Sequence, residues 1–374
     1  MIQQQVVAGA ALWLAMAIPT QSQEPPACSA PQPVCDARGF VFAISAFDPL
    51  GSAVRIAPDM LVTARHVVAD EAEVTVLLED GTRRTARIVP TSFAGDMVLL
   101  SIDDLPEGPV ATLDDADAGE DVFTVGADAA RRTVVAYDAG AVTALPEAGH
   151  PRARLHSTAY SQPGNSGGAL VDAEGRLVGI VASGGEGRFE AVPAATIETL
   201  HKQSGPEHAD EGAETGAATR ICIVKLEGLR GSRGPMAEED ASSVATSCRR
   251  SNNRQNLDLA AQALAQAGRT AKAIALYEEA LSLDPNAVNT RFGLAVTLHI
   301  AGRYADEITH LKELMQSAGE DGQVLRLAIQ AGTWGGDTVL AAQAYAVLER
   351  TNPQMAPAAR RFLDNPPPAP PRRN

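Results

Sequence analysis

Between Gly39 and about Leu200, apolar residues come in short runs broken by turn signals: FVFAISAF, SAVRIAP, MLVTA, EVTVLLEDGTRRTARIVP, MVLLSID, DVFTVG, TVVAYDAGAVTAL, ARLHSTA and GALVDAEGRLVGIVAS. Runs of this length, rich in Val, Ile, Leu and Thr and in places joined by two-residue turns such as Asp80-Gly81, predict about a dozen strands and an all-β sandwich or pair of barrels. Past Gln203 the pattern changes. QSGPEHADEGAETGAATR is small, polar and acidic, which predicts a flexible linker, so residues 203–253 are expected to be acidic linker around a small element containing Cys222 and Cys248. From about Arg254 to Met355, apolar residues and Ala fall at helical spacing, as in AAQALAQAGRTAKAIALYEEALSLDPN.

The helical stretch also repeats. Gly268, Gly302 and Gly336 are 34 residues apart, Tyr277, Leu311 and Tyr345 keep the same interval, and Pro285 and Pro353 are separated by 68. This placement resembles the tetratricopeptide repeat, whose unit is a pair of antiparallel helices, and residues 254–355 would hold three units. The second unit departs from the pattern, with Glu307 at the usual Ala site and Gly319 at the usual Pro site. In the third, Gly332, Gly335 and Gly336 crowd the first helix, which is expected to be compromised. Residues 356–374 end in NPPPAPPRRN, an extended Pro-rich tail.

Near the N-terminus, Val6–Ile18 is a run of 13 apolar residues, too short for the roughly 20 that span a bilayer. It predicts the centre of a secretory signal peptide over residues 1–22, although no Lys or Arg precedes it. Residues 23–37 would then be a Pro-rich leader carrying Cys28 and Cys35. Sequence proximity suggests the disulfides Cys28–Cys35 and Cys222–Cys248 among three possible connectivities, which fits a periplasmic or secreted protein. Over 374 residues, 31 Lys and Arg stand against 46 Asp and Glu, a net charge of −15. Nucleic acid and anionic membranes are therefore poor partners.

Three strings carry chemistry. LVTARHVV runs an apolar strand into His66, GDMVLLSID places Asp96 at the mouth of another, and QPGNSGGAL sets Ser166 in a Gly-rich turn. The order His, Asp, Ser is that of chymotrypsin and differs from those of subtilisins and α/β-hydrolases. With the Gly51-Ser52 strand, the LEDG turn over 78–81, and Gly179-Ile180-Val181 followed by Ala191-Val192-Pro193, residues 50–200 resemble a trypsin-like serine protease of the HtrA type.

That resemblance implies two six-stranded barrels over residues 38–202 with the active site between them. The fold class is then a double β-barrel followed by an all-α helical-hairpin array. His66 would be the general base, Asp96 its orienting partner and Ser166 the nucleophile, with the amides of Gly164 and Ser166 facing the oxyanion. Asn165 stands where digestive trypsins have the aspartate that pairs with a new N-terminus, so activation by trimming is not expected. The pocket base falls on Tyr160 and its walls on Ser183, Gly184 and Phe189. With no acid at the base, a preference for small or medium apolar residues follows. No metal or organic cofactor is implied. Where HtrA proteins carry PDZ domains, this chain has the repeat array, which is expected to recruit protein substrates or partners. The alternative is a latent protease-like scaffold that binds through the repeats.

Overall fold

The computed structural model describes residues 28–131, 133–185, 187–230 and 236–372; the apolar run 6–18 and the cleavage point after Ser22 lie outside them. A short helix, α1 (Gln32–Asp36), opens the described chain. Strands β1 (Val41–Ser45), β2 (Gly51–Ala57), β3 (Met60–Thr63), β4 (Glu73–Leu77), β5 (Arg83–Val89) and β6 (Val98–Ser101) close a barrel in the order β1-β2-β3-β6-β5-β4, with a one-turn helix α2 (Arg65–Val68) after β3. The period of two decides which side chains face in: along β4, Val74 and Val76 are buried while Glu73 and Thr75 face water. The Asp80-Gly81 turn joins β4 to β5, and Gly81 takes φ +81° there.

Strands β7 (Asp121–Asp128), β8 (Thr133–Ala136), β9 (Gly140–Ala144), β10 (Leu155–Ser157), β11 (Ala169–Val171), β12 (Leu177–Gly185) and β13 (Arg188–Pro193) follow. Their order is β11-β12-β13-β10-β9-β7-β8, and β11 returns to pair with β7, so six strands form a second closed ring to which β8 is appended. Val54, Val62 and Leu99 of the first barrel pack with Phe123, Val125 and Ile180 of the second in one shared core. The pair of barrels expected from sequence is therefore present.

The leader is part of this body. Cys28 and Cys35 are bridged, and Val34 between them is fully buried in the shared core.

Residues 203–253 are not a linker. After α3 (Ile197–Lys202) they form α4 (Ala209–Leu229) and α5 (Glu238–Arg250), tied by the Cys222–Cys248 disulfide. The small residues that read as flexibility are there for close packing. A Cβ on Gly216 would lie 2.6 Å from the Ala69 carbonyl, and one on Gly212 would lie 3.1 Å from the Thr91 amide. Helix α4 thus lies against the first barrel just past α2, and Arg220 on it pairs with Asp70 and, at 2.5 Å, Glu71. Both cysteines are fully buried. Replacing Cys222 and Cys248 by Ala is expected to cost about 3 kcal/mol, the loop-closure entropy of the bridge. The denaturant midpoint of the helical region reports it; an unchanged midpoint would contradict it.

Helices α6 (Arg254–Gln266), α7 (Thr270–Leu283), α8 (Val288–Ile300), α9 (Tyr304–Ser317), α10 (Gly322–Gly335) and α11 (Thr338–Thr351) form three hairpins, followed by α12 (Ala356–Asp364). Gly268, Gly302 and Gly336 make the tight turn inside each hairpin at φ +76°, +70° and +90°, which is why the 34-residue interval is kept. The expected weakness of α10 is absent: Asp321 caps its N-terminus through the amides of Gln323 and Val324, and Gly332 lets α11 approach, since a Cβ there would lie 2.9 Å from the Ala341 amide. Glu307 is buried. Burial pushes its carboxyl up, and His299 at 3.0 Å supplies the partner that the apolar site of the repeat pattern would not need.

Candidate active site

Pairing of β3 with β6 sets Thr63 opposite Val98, which brings the turn after β3 beside the residue before β6. Asp96 then holds α2 by three atoms. Its carbonyl accepts from the Arg65 amide at 3.3 Å, Oδ1 accepts from the His66 amide at 3.1 Å, and Oδ2 meets His66 Nδ1 at 2.8 Å. The Asp96 side chain is 1% exposed and that of His66 14%. Burial alone would push the imidazole down; the adjacent carboxylate outweighs it and holds His66 above its ordinary pKa. For Asp96, burial acts upward, but His66 and Arg154 hold the carboxyl below its usual range. An acid kept ionised and a base kept protonatable is the division of labour that general-base chemistry requires.

Ser166 lies in the loop between β10 and β11, clamped from both barrels. Its carbonyl accepts from the Ser52 amide of β2 at 2.8 Å, and the Ser52 hydroxyl donates to the Gly164 carbonyl at 2.7 Å while accepting from the Ala127 amide of β7 at 2.8 Å. Gly167, at φ +82°, presses so close to the end of β3 that a Cβ would lie 2.2 Å from Thr63 Oγ1 and 2.9 Å from the Ala64 amide, two residues before His66. Ser166 and His66 are brought to one edge between the barrels, yet among the described residues no hydrogen bond joins the hydroxyl to the imidazole. The amides of Asn165, Gly167 and Gly168 are used within the protein, whereas those of Gly164 and Ser166 donate to no described group. Two N–H donors beside a hydroxyl are thus left without a partner among the described residues.

Asn165 is fully buried. Its Nδ2 donates to the Ala127 carbonyl at 3.0 Å and to Tyr137 Oη at 3.3 Å, and its Oδ1 accepts from the Gln162 amide at 2.8 Å. Neutral amide bonds therefore shape the loop where an ion pair would serve in a digestive trypsin.

The four pocket residues come together, though Tyr160 is not enclosed. Its ring is half-exposed and meets Phe189 edge-on at 5.9 Å and Tyr137 at 5.4 Å. Phe189 is buried on β13 and packs under the Gly184 backbone, where a Cβ would lie 2.5 Å from its ring. The Ser183 hydroxyl donates to Glu190 at 3.0 Å and accepts from Arg154 at 2.8 Å. Burial acts to raise the Glu190 carboxyl, but Arg254, His156 and Arg154 bring it down to about 2. This buried acid is already neutralised and leaves no charge for a basic substrate side chain.

Glu190 belongs to a group that no motif singles out. Arg154, His156 and Glu190 of the second barrel meet Asn253, Arg254 and Asp284 of the helical array. His156 Nε2 lies 3.1 Å from Asp284, and Arg154 Nη2 donates to Asn253 at 3.2 Å. Arg188 on the β12–β13 hairpin donates to Asn289, pairs with Asp321 at 3.0 Å and lies over the Phe292 ring. The array is thus seated against the start of β10 and the β12–β13 hairpin. Elsewhere, Glu120, Asp172 and Glu174 bring three carboxylates within 4.8 Å, and Arg176 pairs with two of them, Asp172 at 2.7 Å and Glu174 at 3.2 Å.

Residues 51–180 match the family described as trypsin-like peptidase domain, and residues 261–302 match a TPR repeat. The chain is 29% identical over 186 residues to the serine protease Do-like HtrA of Lactobacillus helveticus, covering 45% of this chain and 44% of that protein. It is 33% identical over 138 residues to a probable periplasmic serine endoprotease, DegP-like, of Pseudomonas fulva, covering 35% of this chain and 28% of that one. Among solved structures, an HtrA-type protease, AlgWS227A with tripeptide, is similar at 27% identity and TM-score 0.41, over 46% of this chain and 61% of that one. The chain spans less than half the length of these curated relatives. No helix of the described residues is long and apolar enough to cross a membrane.

Proposed function

We propose that this chain is an exported serine endopeptidase. Ser166 attacks the scissile carbonyl, His66 takes the hydroxyl proton and later passes it to the leaving amine, and Asp96 holds the imidazole in the tautomer with Nε2 free to accept. The acyl-enzyme on Ser166 is then hydrolysed by water. The observation that carries this reading is the His66–Asp96 bond at 2.8 Å beside a loop whose Gly164 and Ser166 amides are unused. Each such donor is worth about 3 kcal/mol of transition-state stabilisation. The missing Ser166–His66 hydrogen bond is ordinary for a site without substrate, where catalytic bonds tighten on binding.

Export is supported by the two disulfides, which persist in an oxidising compartment, and by the periplasmic relative. A periplasmic or secreted location follows, with proteins or peptides as substrates and the repeats recruiting substrate or partner.

The contact of Tyr160 and Gly184 with the Phe189 ring, with Glu190 neutralised beside it, supports a preference for small or medium apolar residues before the scissile bond. Turnover of matched peptides carrying Ala, Val, Leu, Arg or Phe at that position is expected to be fastest for Ala and Val; dominant cleavage after Arg would contradict it. A second reading, a latent scaffold, is favoured by the array seated against the β12–β13 hairpin through Arg188. It predicts binding of protein ligands by the repeats with no hydrolysis of any of these peptides.

A further inference from the structure

We propose that Arg154 is a positioning residue for Asp96, and that the helical array decides where Arg154 points, so that alignment of the His66–Asp96 pair depends on the docked array. This rests on the reading of His66 and Asp96 as catalytic. The Arg154 side chain is 4% exposed and its guanidinium is shared between two buried carboxylates. Nη2 lies 3.5 Å from Asp96 Oδ2, the same oxygen that meets the His66 ring, while Nη1 donates to Glu190 at 3.2 Å and Ser183 at 2.8 Å. The array supplies the rest of the frame. Asn253 Oδ1, which also caps α6 through the Gln255 amide, accepts from Nη2, and Asp284 Oδ2 accepts from the Arg154 amide at 3.2 Å.

Arg254 is the competitor that keeps this sharing possible. Its side chain is 1% exposed and donates to the same Glu190 oxygen, and also to Asp258 at 2.7 Å and Thr290 at 2.8 Å. With Arg254 in place, Glu190 is satisfied from the array side, and Arg154 is free to lean on Asp96. Without it, Glu190 would have Arg154 as its main cation, and the guanidinium would be drawn away from Asp96.

A positive charge next to the pair disfavours the imidazolium, so losing it raises the His66 pKa and moves the acid limb of activity to higher pH. The other charge acting on His66 is Asp48 of the β1–β2 loop; Arg65 on its own helix acts on Asp96, and Arg220 of the neighbouring α4 is paired with Asp70 and Glu71. Those facing Arg154 and Glu190 are His156, Arg254, Asp258 and Asp284. None of them is altered by the substitutions below except as named.

The test is a titration of the histidine ring protons by NMR in the protein from residue 23 onward, with the His66 signal assigned by its loss in His66→Gln. Arg154→Met and Arg254→Met are each expected to raise the His66 midpoint by about half a unit to one unit. Arg254→Lys should restore most of the shift. Glu190→Gln, which releases Arg154 onto Asp96, should lower the midpoint. A role of Arg254 confined to packing would change stability and leave the midpoint where it is. An unmoved midpoint in folded Arg254→Met, or a rise in Glu190→Gln, overturns the proposal; if Arg254→Met does not fold, Arg154→Met and Glu190→Gln decide it, an unmoved midpoint in Arg154→Met overturning it. The readout does not need turnover, so a wild type that hydrolyses nothing would overturn the catalytic reading separately.

Discussion

Ser166→Ala is expected to lower kcat/KM on a cleavable peptide by about 10⁵- to 10⁶-fold, with the fold intact. The serine hydroxyl is partly exposed at the edge between the barrels and makes no hydrogen bond within the described protein, so its removal leaves packing untouched. What remains is attack by water, helped only by the amides of Gly164 and Ser166. His66→Ala should fall in the same range, and the double substitution should be no worse than either single one, because the two groups act as a unit. Steady-state kinetics on one substrate checks this. A loss of less than about a hundredfold in either variant would place the nucleophile or base elsewhere.

Asp96→Asn is the second large effect, about 10⁴-fold in kcat. The carboxylate accepts from both the His66 amide and its ring; an amide in its place can donate to Nδ1, which stabilises the tautomer with the proton on Nε2, where it cannot accept from serine. The variant also leaves the Arg154 guanidinium, among the described residues, paired with the Glu190 carboxylate alone, so a loss of stability should accompany the loss of rate. Rate and thermal midpoint measured together check both parts. Full activity in Asp96→Asn would show that the His66–Asp96 bond is structural only.

The fold was legible where chemistry is local. Alternation gave the strands, and the 34-residue glycine interval marked hairpin turns that need positive φ at Gly268, Gly302 and Gly336. The residues of the candidate triad stood out because each sits in a short string whose neighbours serve it: the apolar strand before His66, the strand after Asp96 and the glycines around Ser166. Residues 203–253 read as linker although they hold α4 and α5, because small residues signal both a loose chain and a helix pressed against a backbone. Nothing in the string distinguishes Gly216 touching Ala69 from a linker glycine. The Arg154–Glu190–Arg254 group was invisible for another reason. Its members are 36 to 100 residues apart and lie in segments that read as ordinary strand and helix. Only docking of the array makes them one site.

Whether Ser166 is an assembled nucleophile activated by His66 is read by labelling the protein from residue 23 onward with a fluorophosphonate probe, because the probe needs the activated hydroxyl and no knowledge of the natural substrate. One label per chain is expected on the wild type and none on Ser166→Ala or His66→Ala; a folded wild type that takes no label, or a Ser166→Ala variant that still takes it, would show that Ser166 is not that nucleophile.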